Sequence, residues 1–157
     1  MADSNNVTRM LDTRKITYTV FEIPVVKLTA LEVSDILDIP PENVFKTIVL
    51  QPEKIKKPVL AVVPATGEVS PKKLAGLLNE KNISVTTLRE AEALTGLKAG
   101  GISPLALINK GFQVVIDESA IKRVTILISG GQRGLQIQLA AQDLIRLTNA
   151  RTARISS

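Results

Sequence analysis

The chain has 157 residues, carries a formal net charge of +5 and contains neither cysteine nor histidine. Those two absences exclude a disulfide scaffold, every thiolate chemistry and the serine–histidine and cysteine–histidine nucleophile systems, and they remove the usual ligands of a zinc site. The positive charge favours polyanionic partners, but three phenylalanines, one tyrosine and no tryptophan cannot form a row of stacking platforms for a single strand.

The length fits one domain, and a chain of this size buries roughly two-thirds of its unfolded surface on folding. No basic segment followed by an apolar run stands at the N-terminus, and no window approaches the length of a membrane span. A cytoplasmic protein with no membrane partner is expected.

Residues 4–15 read as a helix, capped by Ser4 or Asn5, with Val7, Met10 and Leu11 at helical spacing. Tyr18 to Ile23 alternates and is rich in β-branched and aromatic residues, so it reads as a strand ended by Pro24. Thr29-Ala-Leu-Glu32 is a capping box opening a helix to about Leu37, and Pro40-Pro41 prevents its continuation. Val44 to Gln51 is a strand. Residues 52–57 form a turn carrying Glu53, Lys54, Lys56 and Lys57, read as a solvated charge cluster. Val59 to Val63 is a continuous apolar run, hence a buried strand, closed by Pro64 and forming a hairpin with the strand before it.

Ser70-Pro71 is a cap followed by proline at the first helical position, and that helix runs to about Asn79. Val85 marks a short strand. Thr87-Leu-Arg-Glu90 is a second capping box, opening a helix that stops at Gly96. Phe112 to Ile116 and Val124 to Ile128 read as strands, separated by a short helix or turn after Asp117-Glu118. The turn Ser129–Gly134 leads to a strand from Leu135 to Leu139, and Ala140 to Leu147 is the last helix. Residues 149–157, with Arg151 and Arg154, read as a frayed tail. No repeat or linker divides the chain. Strands and helices mingle without a strict βαβ rhythm, which favours a mixed sheet with helices packed around it.

Three features carry chemistry. Lys46 interrupts an apolar strand in which both faces are otherwise suited to burial, so it must reach a partner or the surface. It reads either as a lysine snorkelling at the strand edge or as a cation at the mouth of a pocket. Gly100-Gly101-Ile102-Ser103-Pro104 is a shaped loop: it is a plain turn, or its backbone N–H groups converge on an oxyanion or phosphate. Ser129-Gly-Gly-Gln-Arg-Gly134 is a glycine-rich hairpin turn whose spacing matches neither a dinucleotide fingerprint nor a Walker loop. Asp117 and Glu118 are adjacent and do not form a carboxylate pair for acid–base work.

Phe45-Lys46-Thr47, Gly100-Gly101-Ile102-Ser103-Pro104-Leu105 and Ser129-Gly130-Gly131-Gln132-Arg133-Gly134-Leu135, in this order and spacing, resemble the YbaK family of free-standing aminoacyl-tRNA deacylases. That family is related to the editing domain of bacterial prolyl-tRNA synthetase. The resemblance spans nearly the whole chain. It implies a single α/β domain over residues 1–157 with a mixed, barrel-like sheet, acting in trans on mischarged tRNA without cofactor or metal. The implied substrate is a wrongly attached cysteine or alanine on tRNA for proline, and the implied partners are the tRNA's 3′-terminal adenosine and a synthetase. The resemblance implies catalytic roles for Lys46 and Gly101. Lys46 would contact the terminal nucleotide or the carbonyl, and the backbone of Gly100 and Gly101 would line the amino-acid pocket. Thr47 and Ser129 would supply hydroxyls, and Phe45, Ile102, Ser103, Pro104, Gly130, Gly131 and Arg133 would complete the binding site. In related cysteinyl deacylases the substrate's own thiol attacks the ester, which suits a chain without histidine.

The pattern departs from the family in two places. Phe21-Glu22-Ile23-Pro24 has no histidine, and Gln136 and Gln138 stand where acidic residues are common. Two other classes therefore stay open: a non-catalytic tRNA-binding or synthetase-associated module, and a small-molecule binder that uses the glycine loops for a nucleotide phosphate.

Overall fold

The computed structural model describes residues 5–54 and 57–157. Ser4 and the Ile55–Lys56 part of the charged turn lie outside them. Local signals in the sequence set most element boundaries. Asn5 caps α1 (Asn6–Thr13): its side chain accepts the Thr8 N–H at 2.9 Å, and Thr8 Oγ1 accepts the Asn5 N–H at 2.9 Å. The capping boxes at Thr29 and Thr87 both form, opening α2 (Ala30–Leu37) and α4 (Leu88–Thr95). Ser70 caps α3 (Pro71–Leu78), with Pro71 at its first position, and α5 spans Ala141–Thr148. No helix among the described residues is long and apolar enough to cross a membrane.

The strands are β1 (Tyr18–Glu22), β2 (Phe45–Pro52), β3 (Val59–Pro64), β4 (Ile83–Val85), β5 (Gln113–Asp117), β6 (Thr125–Ser129), β7 (Leu135–Ala140) and β8 (Arg151–Ala153). They form two sheets, ordered β4-β2-β3-β5-β8 and β1-β7-β6. Both expected hairpins are present, β2 with β3 and β6 with β7. The larger sheet is mixed, since β5 runs parallel to β3 and β8 parallel to β5.

The expectation of a barrel is not met. The two sheets meet at an isolated bridge between Val44 and Leu127 and do not close. β4 covers only Leu50–Pro52 of β2, too little to carry a sheet around a barrel.

The principal core lies between the sheets. Phe45, Val62 and Ile116 from one face pack with Ile126, Ile128, Ile137 and Leu139 from the other, closed by Leu11 of α1 and Leu144 of α5. The opposite face of the larger sheet, with Leu50, Ala61 and Val63, is covered by Leu74 and Ala75 of α3. β2 is thus buried on both faces, as its sequence requires.

Residues 149–157 are not a frayed tail. Arg151–Ala153 pairs with β5, and Ile155 is fully buried. Asp117 explains why. It is 2 % exposed, and its Oδ1 accepts the backbone N–H groups of Ile155 and Ser156, each at 3.0 Å. Burial pushes its carboxyl up, but the Ser119 hydroxyl and the N–H groups of Ile155, Ser156 and Ser119 outweigh that push and hold it below the ordinary carboxylate value. A carboxyl lowered on folding contributes stability that is present above its unfolded value, about pH 3.9, and is lost as pH falls through the folded value. Asp117→Ala leaves buried N–H groups without an acceptor and is expected to cost about 3 kcal/mol in denaturant unfolding at pH 7. Asp117→Asn is expected to flatten the loss of stability below about pH 4.

Candidate active site

Because β4 stops at Leu50, the edge of β2 from Phe45 to Ile48 has no strand partner on that side among the described residues. A cleft of about 530 Å³ runs along this open edge. Residues from both faces of the strand line it: Phe45 and Thr47 from one, Lys46 and Ile48 from the other. The opposite walls come from Lys27 to Val33, at the start of α2, from Leu88, and from Ala99, Gly100 and Ile102. Ser129 and Gln136 close the end beside the smaller sheet, where they sit opposite each other in the β6–β7 ladder. The walls are mostly apolar and the polar groups few, the usual character of a small-ligand site.

The two glycine loops face each other at this end. Gly100 has φ +90°, the left-handed region that favours glycine. Gly101 is glycine for another reason. A Cβ there would stand 2.8 Å from Gln132 Cα and 3.0 Å from the Arg133 backbone nitrogen. The loops are also tied by Arg133, whose Nε donates to the Ala99 carbonyl at 2.6 Å, and by Ser129, whose Oγ lies 3.4 Å from the Gly100 carbonyl. Asn5 holds the second loop from behind, donating to the Gly130 carbonyl at 3.0 Å. The Gly101 N–H donates to the Lys98 carbonyl at 2.8 Å, so it is already used within its own loop.

Lys46 neither snorkels freely nor lies buried. Its Nζ is 3.1 Å from Glu68 Oε1, and the two side chains are 23 % and 78 % exposed. The cation therefore stands at the mouth of an apolar cleft, held by an acid that solvent reaches.

Of the residues singled out in the sequence, Phe45, Lys46, Thr47, Gly100, Ile102 and Ser129 line this cleft together. The others stand behind the wall. Gly101 and Arg133 join the two loops. Ser103 is fully buried and caps the turn at Pro104–Leu107, accepting the Leu105 N–H at 3.2 Å, and Pro104 is the first residue of that turn. Gly130 packs on Leu135, and Gly131 (φ +95°) packs on Val7. Phe21 and Ile23, where no histidine stands, pack in the apolar cluster beneath α2. Gln136 lines the cleft; Gln138, two ladder pairs further along, does not.

The signature of the aminoacyl-tRNA editing domain matches residues 26–147. A relative from Enterococcus faecalis, named "Putative Cys-tRNA(Pro)/Cys-tRNA(Cys) deacylase EbsC", is 35% identical over 154 residues, which is 97% of this chain and 93% of that protein. The chain belongs to the aminoacyl-tRNA editing domain family. Solved structures agree on the fold. The hypothetical protein APE2540 superposes with a TM-score of 0.88 at 20% identity, over 98% of this chain and 100% of that chain. A structure described as "a putative trans-editing enzyme for prolyl tRNA synthetase" has a TM-score of 0.81 at 23% identity, covering 99% of each chain.

Glu68 and the α2 wall of the editing domain escaped the sequence reading. Glu68 lies in an ordinary-looking turn after β3, and only the folded chain brings it to Lys46. The α2 residues read as one amphipathic helix, with nothing to mark which of them face a cleft.

Proposed function

We propose that this editing domain hydrolyses mischarged aminoacyl-tRNA in trans, releasing a small amino acid, cysteine or alanine, from tRNA for proline. The observation that carries the reading is the Lys46 ammonium, set at the mouth of an apolar cleft in an editing-domain fold. An aminoacyl ester is already activated, so no protein nucleophile is required. It needs a held terminus, a polarised carbonyl and an attacking group in place.

In this reading Lys46 binds the ester carbonyl or the adjoining nucleotide phosphate. Gly100 and Ile102 bound the space for the amino-acid side chain, with Thr47 and Ser129 as hydroxyl donors beside it. Gly101 and Arg133, together with Ser103, Pro104, Gly130 and Gly131, serve by holding the two loops at the spacing the cleft needs. The open edge of β2 offers main-chain donors and acceptors to the terminal adenosine. Water attack gives the free amino acid and the 3′-hydroxyl. With cysteine, the substrate thiol can form the new S–C bond as the ester C–O bond breaks, the 3′-oxygen leaving with the thiol proton. The working unit is the whole chain, since α1 and the C-terminal segment both support the site from outside residues 26–147. The reading places the protein in the cytoplasm, beside the prolyl-tRNA synthetase whose errors it clears.

The test is a panel of mischarged tRNAs, with cysteine, alanine and serine on tRNA for proline, and proline itself as the control. Cysteine or alanine is expected to be released, while proline is retained. Salt-dependent binding of every species without release of any would instead favour a non-catalytic module, a reading that the neutral Gln136 in the cleft keeps open.

A further inference from the structure

Two carboxylates line the cleft among the described residues, Glu32 and Glu68. Glu32 is committed to its helix cap, where its Oε1 accepts the Thr29 N–H at 2.9 Å. The Glu68 carboxylate has only Lys46 as a partner among the described residues. Its backbone is nevertheless fixed: its carbonyl accepts the Ser157 N–H at 2.8 Å, and the Ser70 N–H two residues on donates to the Ile155 carbonyl at 2.7 Å. A pinned backbone thus carries an exposed, rotatable acid at the rim, beside the cation that faces the substrate.

An α-aminoacyl ester has a matching pattern. Its ammonium sits on the carbon next to the carbonyl, whose oxygen becomes negative as the tetrahedral adduct forms. Lys46 and Glu68, 3.1 Å apart and opposite in charge, complement those two neighbouring groups. We propose that Glu68 binds the substrate's α-ammonium while Lys46 takes the carbonyl oxygen. The free-state ion pair is then exchanged for two pairs with the substrate. This rests on the deacylase reading and adds a selection rule to it. Esters whose nitrogen is acylated, as in formylated or peptidyl-tRNA, present no cation to Glu68 and are rejected.

The experiment compares a hydrolysis-resistant analogue, 3′-deoxy-3′-(alanylamino)adenosine, with its N-acetyl derivative by calorimetry, and alanyl-tRNA with N-acetylalanyl-tRNA in hydrolysis. The wild-type protein is expected to prefer the free amine by about 10-fold, the worth of one charge-assisted hydrogen bond. Glu68→Gln is expected to reduce that preference to within about 2-fold, and Glu68→Asp to retain most of it. Glu68 is exposed, so neither variant threatens the fold. If Glu68 merely positioned Lys46, the Gln variant would weaken both ligands equally and leave the ratio unchanged. An unchanged ratio, or no preference in the wild type, overturns the proposal while leaving deacylation intact. Absence of both binding and hydrolysis in the wild type overturns the deacylase reading and this proposal with it.

Discussion

Lys46→Ala is expected to lower kcat/KM for mischarged tRNA by about 10²- to 10³-fold, the usual cost of removing one donor that stabilises developing charge. Stability should hardly change. The ion pair lost among the described residues is with Glu68, which is 78 % exposed, and exposed pairs contribute about 0–1 kcal/mol. The division between kinetic constants tells what Lys46 binds. A fall in kcat identifies the reacting carbonyl, because only an interaction that strengthens in the transition state acts there. A rise in KM alone identifies a phosphate or another group that does not react. Undiminished turnover by a folded variant would remove Lys46 from the mechanism.

Gly101→Ala is expected to damage both stability and activity, although it adds one methyl group. The new Cβ would fall 2.8 Å from Gln132 Cα, 2.9 Å from Gln132 C and 3.0 Å from Arg133 N. All three are backbone atoms, so no side chain can swing aside and the loops must separate. Overpacking of this kind costs about 1–3 kcal/mol, readable in denaturant unfolding. The loss of activity should be larger, because a displacement of about 1 Å at a site can cost about 10²-fold in rate. The separation would also stretch the contact from Arg133 Nε to the Ala99 carbonyl, now 2.6 Å. Wild-type turnover by Gly101→Ala would show that the loop spacing does not define the cleft.

These two residues also show what the sequence made legible. The glycine at 101 was recognisable as a place of close approach, but the sequence could not say what approaches. In the fold the backbone of the second glycine loop, at Gln132 and Arg133, comes that close. Thr29 and Thr87 announced their helices through capping boxes because both partners lie within one turn of chain. The β2–β3 hairpin was legible for the same reason of nearness. β8 was not, because parallel pairing with β5 joins residues far apart in the chain and leaves no local signal. Arg151–Ser157 is short and polar enough to read as a loose end, and it is the fold that anchors it, through β8 pairing and the buried carboxylate of Asp117. The barrel expectation failed over three residues of β4, a length that no periodicity specifies. The cleft was half visible. Lys46 stood out because a lysine in an apolar strand demands a partner, whereas Glu68 had nothing unusual about it until the fold set the two side by side.

The most direct test of the central claim is single-turnover release of cysteine or alanine from mischarged tRNA for proline by the purified protein, with Lys46→Ala measured beside it. Rapid release by the wild-type chain, reduced at least about 10²-fold in the variant, is the predicted result. No release by the wild-type protein, or equal release by both, would contradict it.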